Sequence, residues 1–220
     1  MAERDLKPCP FVSEEIDNFP QMRFLKTHLI GHPGIIAGGC FKSIFTGTKP
    51  HDADMFFRNQ EDFHRAVSYF KENKDEYTMG YENKNVVSFI HTKTGLRIEC
   101  IRKIFGTPEE IISQFDFTIA KFAYEIEAEP TDGYDGETEW IYHDNVLYHE
   151  KFFEHLCMKR LVVDDAIPYP LSTFNRTYKY AASGFFPCRE TKLKILKAVH
   201  DMEESPGDDS LNKAMYEGHD

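Results

Sequence analysis

No two of the five cysteines form a C-x-x-C pair: Cys9, Cys40, Cys100, Cys157 and Cys188 are scattered and odd in number. That pattern gives neither a disulfide framework nor a zinc site, and it suits a reducing compartment. No apolar run approaches the roughly 18 residues that a membrane span needs. The opening MAERDLKPCPF has neither the basic start nor the apolar stretch of a secretion signal, so a cytoplasmic protein without a membrane partner is expected. Positive charge is scarce too, with 26 Lys and Arg against 37 Asp and Glu and a net charge of -11. Such a chain repels polyphosphate at long range, which disfavours nucleic acid as a partner. Internal repeats are absent. What remains is 220 residues, 41% of them hydrophobic, enough for one or two domains with a core of their own.

Along the chain, PGIIAGGCF is a short apolar run stopped by a glycine pair, the pattern of a buried strand ending in a turn. CFKSIF predicts a short helix closed by Gly47, and DADMFF a strand with one wet face. QEDFHRAVSYFKEN carries Phe63, Val67 and Phe70 at helical spacing. Three strands are expected in EYTMGYE, NVVSFIHT and GLRIECIRKIF, with turn residues between them. TPEEIISQF opens a helix with Thr107 as N-cap and Pro108 at its first position. A loop is expected over 125–136, rich in acids, glycine and proline, before one more strand in ETEWIYHD. From about Tyr148 the pattern turns helical in three segments: YHEKFFEHLCMKRL, PLSTFNRTYKYAASGF and CRETKLKILKAVHDME. The aromatic and leucine stripe of the first of these reads as core. The organisation expected is an α/β head over 20–145, a helical neck over 146–203 and a polar, mobile tail over 204–220.

In a strand, residues two apart face the same side, so Asp52 and Asp54 present two carboxylates together while Ala53 and Met55 face away. Paired carboxylates repel, and a divalent cation that prefers oxygen relieves them. Glu99, alone among apolar neighbours in LRIECI, is the candidate third carboxylate. Gly38 and Gly39 let backbone N–H groups approach an anion closely. A metal beside a phosphate cradle is an arrangement for phosphoryl transfer. His51 should face away from the two aspartates. Arg97, Lys103 and Lys121 are further cations that could reach a triphosphate, with solvated strand charge as the plainer reading of each.

These residues resemble the polymerase-β-like nucleotidyltransferases, and within them the bacterial class II CCA-adding enzymes and poly(A) polymerases. The head motif of that family, G-G-x-V-R-D-x-L-L-G-x-x-P-x-D-I-D, is similar without a gap to G-G-C-F-K-S-I-F-T-G-T-K-P-H-D-A-D. Gly38, Gly39, Gly47, Pro50, Asp52 and Asp54 are in register. The family's R-R-D-F-T-I-N-A-L-A-Y resembles Q-F-D-F-T-I-A-K-F-A-Y, which brings Asp116, Phe117, Thr118 and Ile119 into register. A weaker likeness links P-L-S-T-F-N-R-T-Y-K-Y-A-A-S-G-F to the neck helix, and the whole covers roughly residues 30 to 190.

The resemblance implies a mixed-sheet nucleotidyltransferase head followed by a helical neck. It implies transfer of an NMP from an NTP to an acceptor hydroxyl with Mg²⁺, two ions held by Asp52, Asp54 and Glu99. Gly38, Gly39 and Lys42 would take the phosphates, Asp116 would belong to the nucleotide site, and Arg176 and Lys179, with Asn175 and Tyr178, would contact base and ribose. The departures matter as much. The family's Arg-Asp after the glycines is Lys42-Ser43, its arginine pair before D-F-T is Gln114-Phe115, and its base-reading E-D-x-x-R falls on Pro168, Tyr169 and Ser172. Weak discrimination among bases follows. Without the helical body that holds tRNA, a short stand-alone type of phages and bacteria is expected. Its acceptor should be a protein or small molecule, with RNA third. The alternative is a catalytically inactive derivative that binds a nucleotide or partner.

Overall fold

The computed structural model describes residues 10–132, 138–164 and 167–202. In chain order the elements are β1 (Phe11–Glu14), a 3-10 stretch over Pro20–His28, β2 (Ile35–Ala37), α1 (Gly39–Phe45), β3 (Asp52–Phe57), α2 (Gln60–Glu72), β4 (Tyr77–Glu82), β5 (Val86–His91), β6 (Arg97–Phe105) and α3 (Pro108–Ser113). There follow β7 (Phe122–Asp132), β8 (Thr138–His149), α4 (Phe152–Cys157), β9 (Arg160–Leu161), α5 (Pro170–Ala181), β10 (Phe186–Pro187) and α6 (Arg189–His200). Eight strands form one mixed sheet in the order β1-β8-β7-β2-β3-β6-β5-β4, with β3 and β6 the parallel pair. This is the mixed-sheet head with a helical part that the motifs imply.

Both faces of the sheet are covered. On one, α2 buries Phe63, Ala66, Val67 and Phe70, its start capped by Asn59, which accepts from the Asp62 N–H at 2.9 Å. These residues join Ile36, Phe41, Ala53, Met55, Phe122 and Phe152 in the main core. On the other face, α3 lays Ile111 and Ile112 against Ile35, Ala37, Phe56 and Ile101. The cap expected at Thr107 is a reciprocal one. Its hydroxyl accepts from the Glu110 N–H at 3.3 Å while the Glu110 carboxylate accepts from the Thr107 N–H at 2.9 Å.

Two expectations are corrected. The loop over 125–136 is largely strand: β7 runs to Asp132 and pairs residue for residue with β8 back to Thr138. In EIEAEP the acids alternate with small or apolar residues, a period of two that the abundance of glutamate and Pro130 disguises. The first neck helix is only α4, because Tyr148 and His149 complete the pairing of β8 with β1, and Arg160 and Leu161 pair with Phe186 and Pro187. Phe152 and Leu156 of α4 are buried, as the stripe indicated. The tail over 204–220 lies outside the described residues.

Beneath the 3-10 stretch, buried His28 shares a 2.8 Å hydrogen bond with the Tyr77 hydroxyl and packs edge-on against His91. Burial, then the charges of His91 and His32, lowers its pKa to about 4. A histidine whose folded pKa lies below its unfolded value stabilises fully above about 6.5 and less as pH falls toward 4. Between pH 6.5 and 5 the loss should be about 2 kcal/mol. Urea midpoints at the two pH values, in the wild type and in His28→Asn, check this; the variant should lose most of the slope.

Candidate active site

β2 ends at Ala37 and the chain turns at Gly38, whose φ of 98° lies where only glycine is unstrained. A Cβ at Gly38 would stand 3.5 Å from Asp54 Oδ2 and 3.6 Å from the Phe115 ring, whereas one at Gly39 would meet nothing within 4 Å. The Gly38 N–H donates to the Phe122 carbonyl at 3.0 Å, which fixes the turn against β7. The open side at Gly39, at the start of α1, is therefore where a ligand can approach the backbone. Ala37 pairs with Asp54 across β2 and β3, and the parallel register of β3 with β6 sets Asp52 beside Arg97 and Asp54 beside Glu99. Ala53 and Met55 enter the core, while Asp52 is exposed and Asp54 half-buried. His51 is exposed at the edge of the turn.

Burial first, then the charges of Glu99 and Asp52, raise the Asp54 pKa to about 7, against a smaller opposing pull from Arg176 and Lys179. Residues of strand β3 and helix α5 thus meet at one mouth. Lys42, one turn into α1, extends toward the neck, its ammonium 5.9 Å from the Tyr180 ring and 5.6 Å from Phe185. Its pKa is lowered by burial and then by the charge of Lys179, so two cations from head and neck repel each other beside the carboxylates. An anion between them removes that repulsion.

Arg176 and Asp116 do something more structural. Asp116 is buried at 4% exposure, and Arg176 reaches it from α5 at 3.3 Å. Asp116 Oδ2 has no geometrically good hydrogen bond of its own. The Tyr180 hydroxyl bonds to Arg176 as well, and burial raises the tyrosine to about 12. The D-F-T segment and the neck are locked by this trio, of which Tyr180 carried no signal in the sequence. Lys179 is exposed and Asn175 half-buried on the same helix, while Tyr178 faces solvent against Phe174.

The remaining cations separate. Lys121 is not at the mouth: it is buried, donates to the Ser113 carbonyl at 3.3 Å and pairs with Asp164. Burial would raise Asp164, but hydrogen bonds from His149 and Lys121 and then their charges win and hold it at about 2. Lys103 lies 5.5 Å from the Tyr169 ring at the start of α5. Arg97 stays at the site, 3.9 Å from Glu99.

Glu99 is engaged in another way. The Tyr81 hydroxyl, on β4, donates to its Oε1 at 2.9 Å, an interaction between strands that no local pattern signals. Among the described residues no three His, Cys, Asp or Glu side chains stand together as a ready metal site. The donor set still fits a hard divalent cation at Asp52 and Asp54, where burial, then the charges of Glu99 and Asp52, has raised the Asp54 carboxyl to about 7. Glu99 would join them by leaving Tyr81.

The family described as "Gabija anti-defense 2 family protein" matches residues 13–159. A protein named "Gabija anti-defense 2" from Bacillus phage SPbetaL7 is 24% identical over 171 residues, which are 76% of this chain and 38% of that protein. Among solved structures, a CCA-adding enzyme with CTP superposes with a TM-score of 0.59 at 15% identity, over 92% of this chain and 49% of the other. An apo CCA-adding enzyme gives 0.56 at 15%, over 86% and 46%. The Thermotoga maritima CCA-adding enzyme complexed with tRNA gives 0.51 at 15%, over 86% and 46%. The fold is that of the polymerase-β-like nucleotidyltransferases, and the chain spans less than half the length of these relatives. No helix among the described residues is long and apolar enough to cross a membrane.

Proposed function

We propose, from the premise that this chain belongs to the Gabija anti-defense 2 family, that it is a Mg²⁺-dependent nucleotidyltransferase. It moves an NMP from an NTP to a hydroxyl of a protein or small molecule, and through that transfer counters Gabija defence. One observation carries the reading: Asp54 of β3 lies close enough to Glu99, Asp52 and the α5 cations Arg176 and Lys179 to sense their charge, and Lys179 in turn lies close enough to Lys42 of α1 to lower its pKa, a charge pattern that a metal-bound triphosphate would relieve. Magnesium at Asp52 and Asp54 would neutralise charge at the reacting phosphate and make the acceptor hydroxyl a better nucleophile. Gly38 and Gly39 leave room for the phosphates. Lys42 and Lys179 take their charge, and Arg176, through Asp116 and Tyr180, holds the neck at the distance this requires. The acceptor oxygen bonds to the α-phosphorus, the bond to the β-phosphate breaks, and pyrophosphate leaves.

With Mg²⁺, each NTP in turn and host extract as acceptor, pyrophosphate release is expected. Lys42→Met should raise the NTP KM about tenfold with little change in kcat, the pattern for a group that binds ground and transition states alike. No release with any NTP would reject transfer. The second reading, a protein that binds without chemistry, is favoured by the hydrogen bond that keeps Glu99 with Tyr81. It predicts NTP binding without pyrophosphate.

A further inference from the structure

At the end of the β2 and β3 pair opposite the carboxylates, beyond Ile35 and Phe57, lie two adjoining cavities of about 680 and 720 Å³. They share Gly31, His32, Pro33 and Arg65. One wall is aromatic: Trp140 and Tyr142 of β8, 55% and 47% exposed, stand on the projecting part of the β7 and β8 hairpin. The rim is acidic, with Glu61, Asp62, Glu72, Glu125 and Glu127 against two cations. Arg58 is held between Glu125, at 2.9 and 3.0 Å, and Glu127, at 2.6 Å, and Arg65 lies 3.7 Å from Asp62. Each guanidinium already has a carboxylate, and negative charge is left over.

His32 is the second observation. Its ring is 8% exposed and its Nδ1 lies 3.0 Å from the Pro33 carbonyl, which only accepts, so Nδ1 carries the proton. Nε2 is buried without a donor, the His28 backbone carbonyl also bonds to the ring, and the ring packs on Tyr69 and Phe70, so His32 forms a fixed floor to both cavities. Aromatic faces and surplus carboxylates above it together suit a ligand rich in cationic N–H groups. Each cavity exceeds the needs of one side chain, and the charge repels nucleic acid.

We propose that this groove docks an arginine- or lysine-bearing segment of a partner protein, apart from the transfer mouth. Trp140, the chain's single tryptophan, reports on it directly. A short Arg-Gly repeat peptide should change Trp140 fluorescence with a Kd below about 100 µM at low salt, and a Glu-Gly repeat should not. Glu127→Lys should weaken binding at least about fivefold by exchanging attraction for repulsion at a half-exposed site. Tyr142→Ala, which leaves the charge alone, should also weaken it. Glu190→Lys on α6, exposed and remote in the fold, should not. No fluorescence change, an equal response to the Glu-Gly repeat, unaltered binding by Glu127→Lys and Tyr142→Ala, or equal weakening by Glu190→Lys would overturn the proposal.

Discussion

Asp54→Asn is expected to reduce nucleotide transfer at least about 100-fold, the scale of losing a principal electrostatic stabiliser at a reacting phosphate. The same change should raise stability measured without metal. Asp54 is half-buried beside Glu99 and Asp52, and its pKa of about 7 sits well above the unfolded value near 3.8. Such a carboxyl costs nothing below the unfolded value; the stability it withholds grows as pH rises from the unfolded value toward the folded one and is constant above it. Removing the charge should therefore contribute about 4 kcal/mol at pH 8, a rise of roughly 8 to 16 °C in Tm for a chain of this size, and under about 1 kcal/mol at pH 4. Thermal scans in chelator at the two pH values, beside a pyrophosphate assay, measure both. Loss of activity with a lower Tm at pH 8 would mean that Asp54 is structural.

Arg176→Met should carry the largest cost in stability, about 3 to 5 kcal/mol, because it strands the buried Asp116 carboxylate. Tyr180 loses its hydrogen-bond partner in the same change. Adding Asp116→Asn should recover much of that loss, since the charge that needed Arg176 is gone; the coupling between the two is the quantity to read from a double-mutant cycle. Activity should not return with stability, because the neck no longer holds Lys179 opposite Lys42. A single variant within 1 kcal/mol of wild type, or a double mutant showing no coupling, would show that the pair does not join head and neck.

Much of the fold was legible because local pattern and tertiary need coincide. The strand, glycine turn and short helix from Ile35 to Phe45 follow from an apolar run stopped by Gly38 and Gly39. The alternation of Asp52, Ala53, Asp54 and Met55 sorts into wet and buried faces as written. What escaped depends on partners distant in sequence. β1 has only four residues and exists because β8 offers an edge to it. β7 hides its period of two behind glutamates. Lys121 reads as a spare cation until Asp164, 43 residues away, is found beside it. Tyr81 and Tyr180 are ordinary aromatics in the sequence; only the sheet order brings Tyr81 to Glu99, and only the packing of α5 on the D-F-T segment brings Tyr180 to Arg176.

The position of the transferred atom tests the central claim most directly. The protein, with Mg²⁺ and host extract, would receive NTP labelled with ³²P at either the α- or the γ-phosphate, in parallel with Asp54→Asn. Nucleotidyl transfer predicts label on an acceptor from α-labelled NTP only, γ-label released in pyrophosphate, and neither signal from the variant. Label on the acceptor from γ-labelled NTP, or no labelled acceptor in either arm, would contradict it.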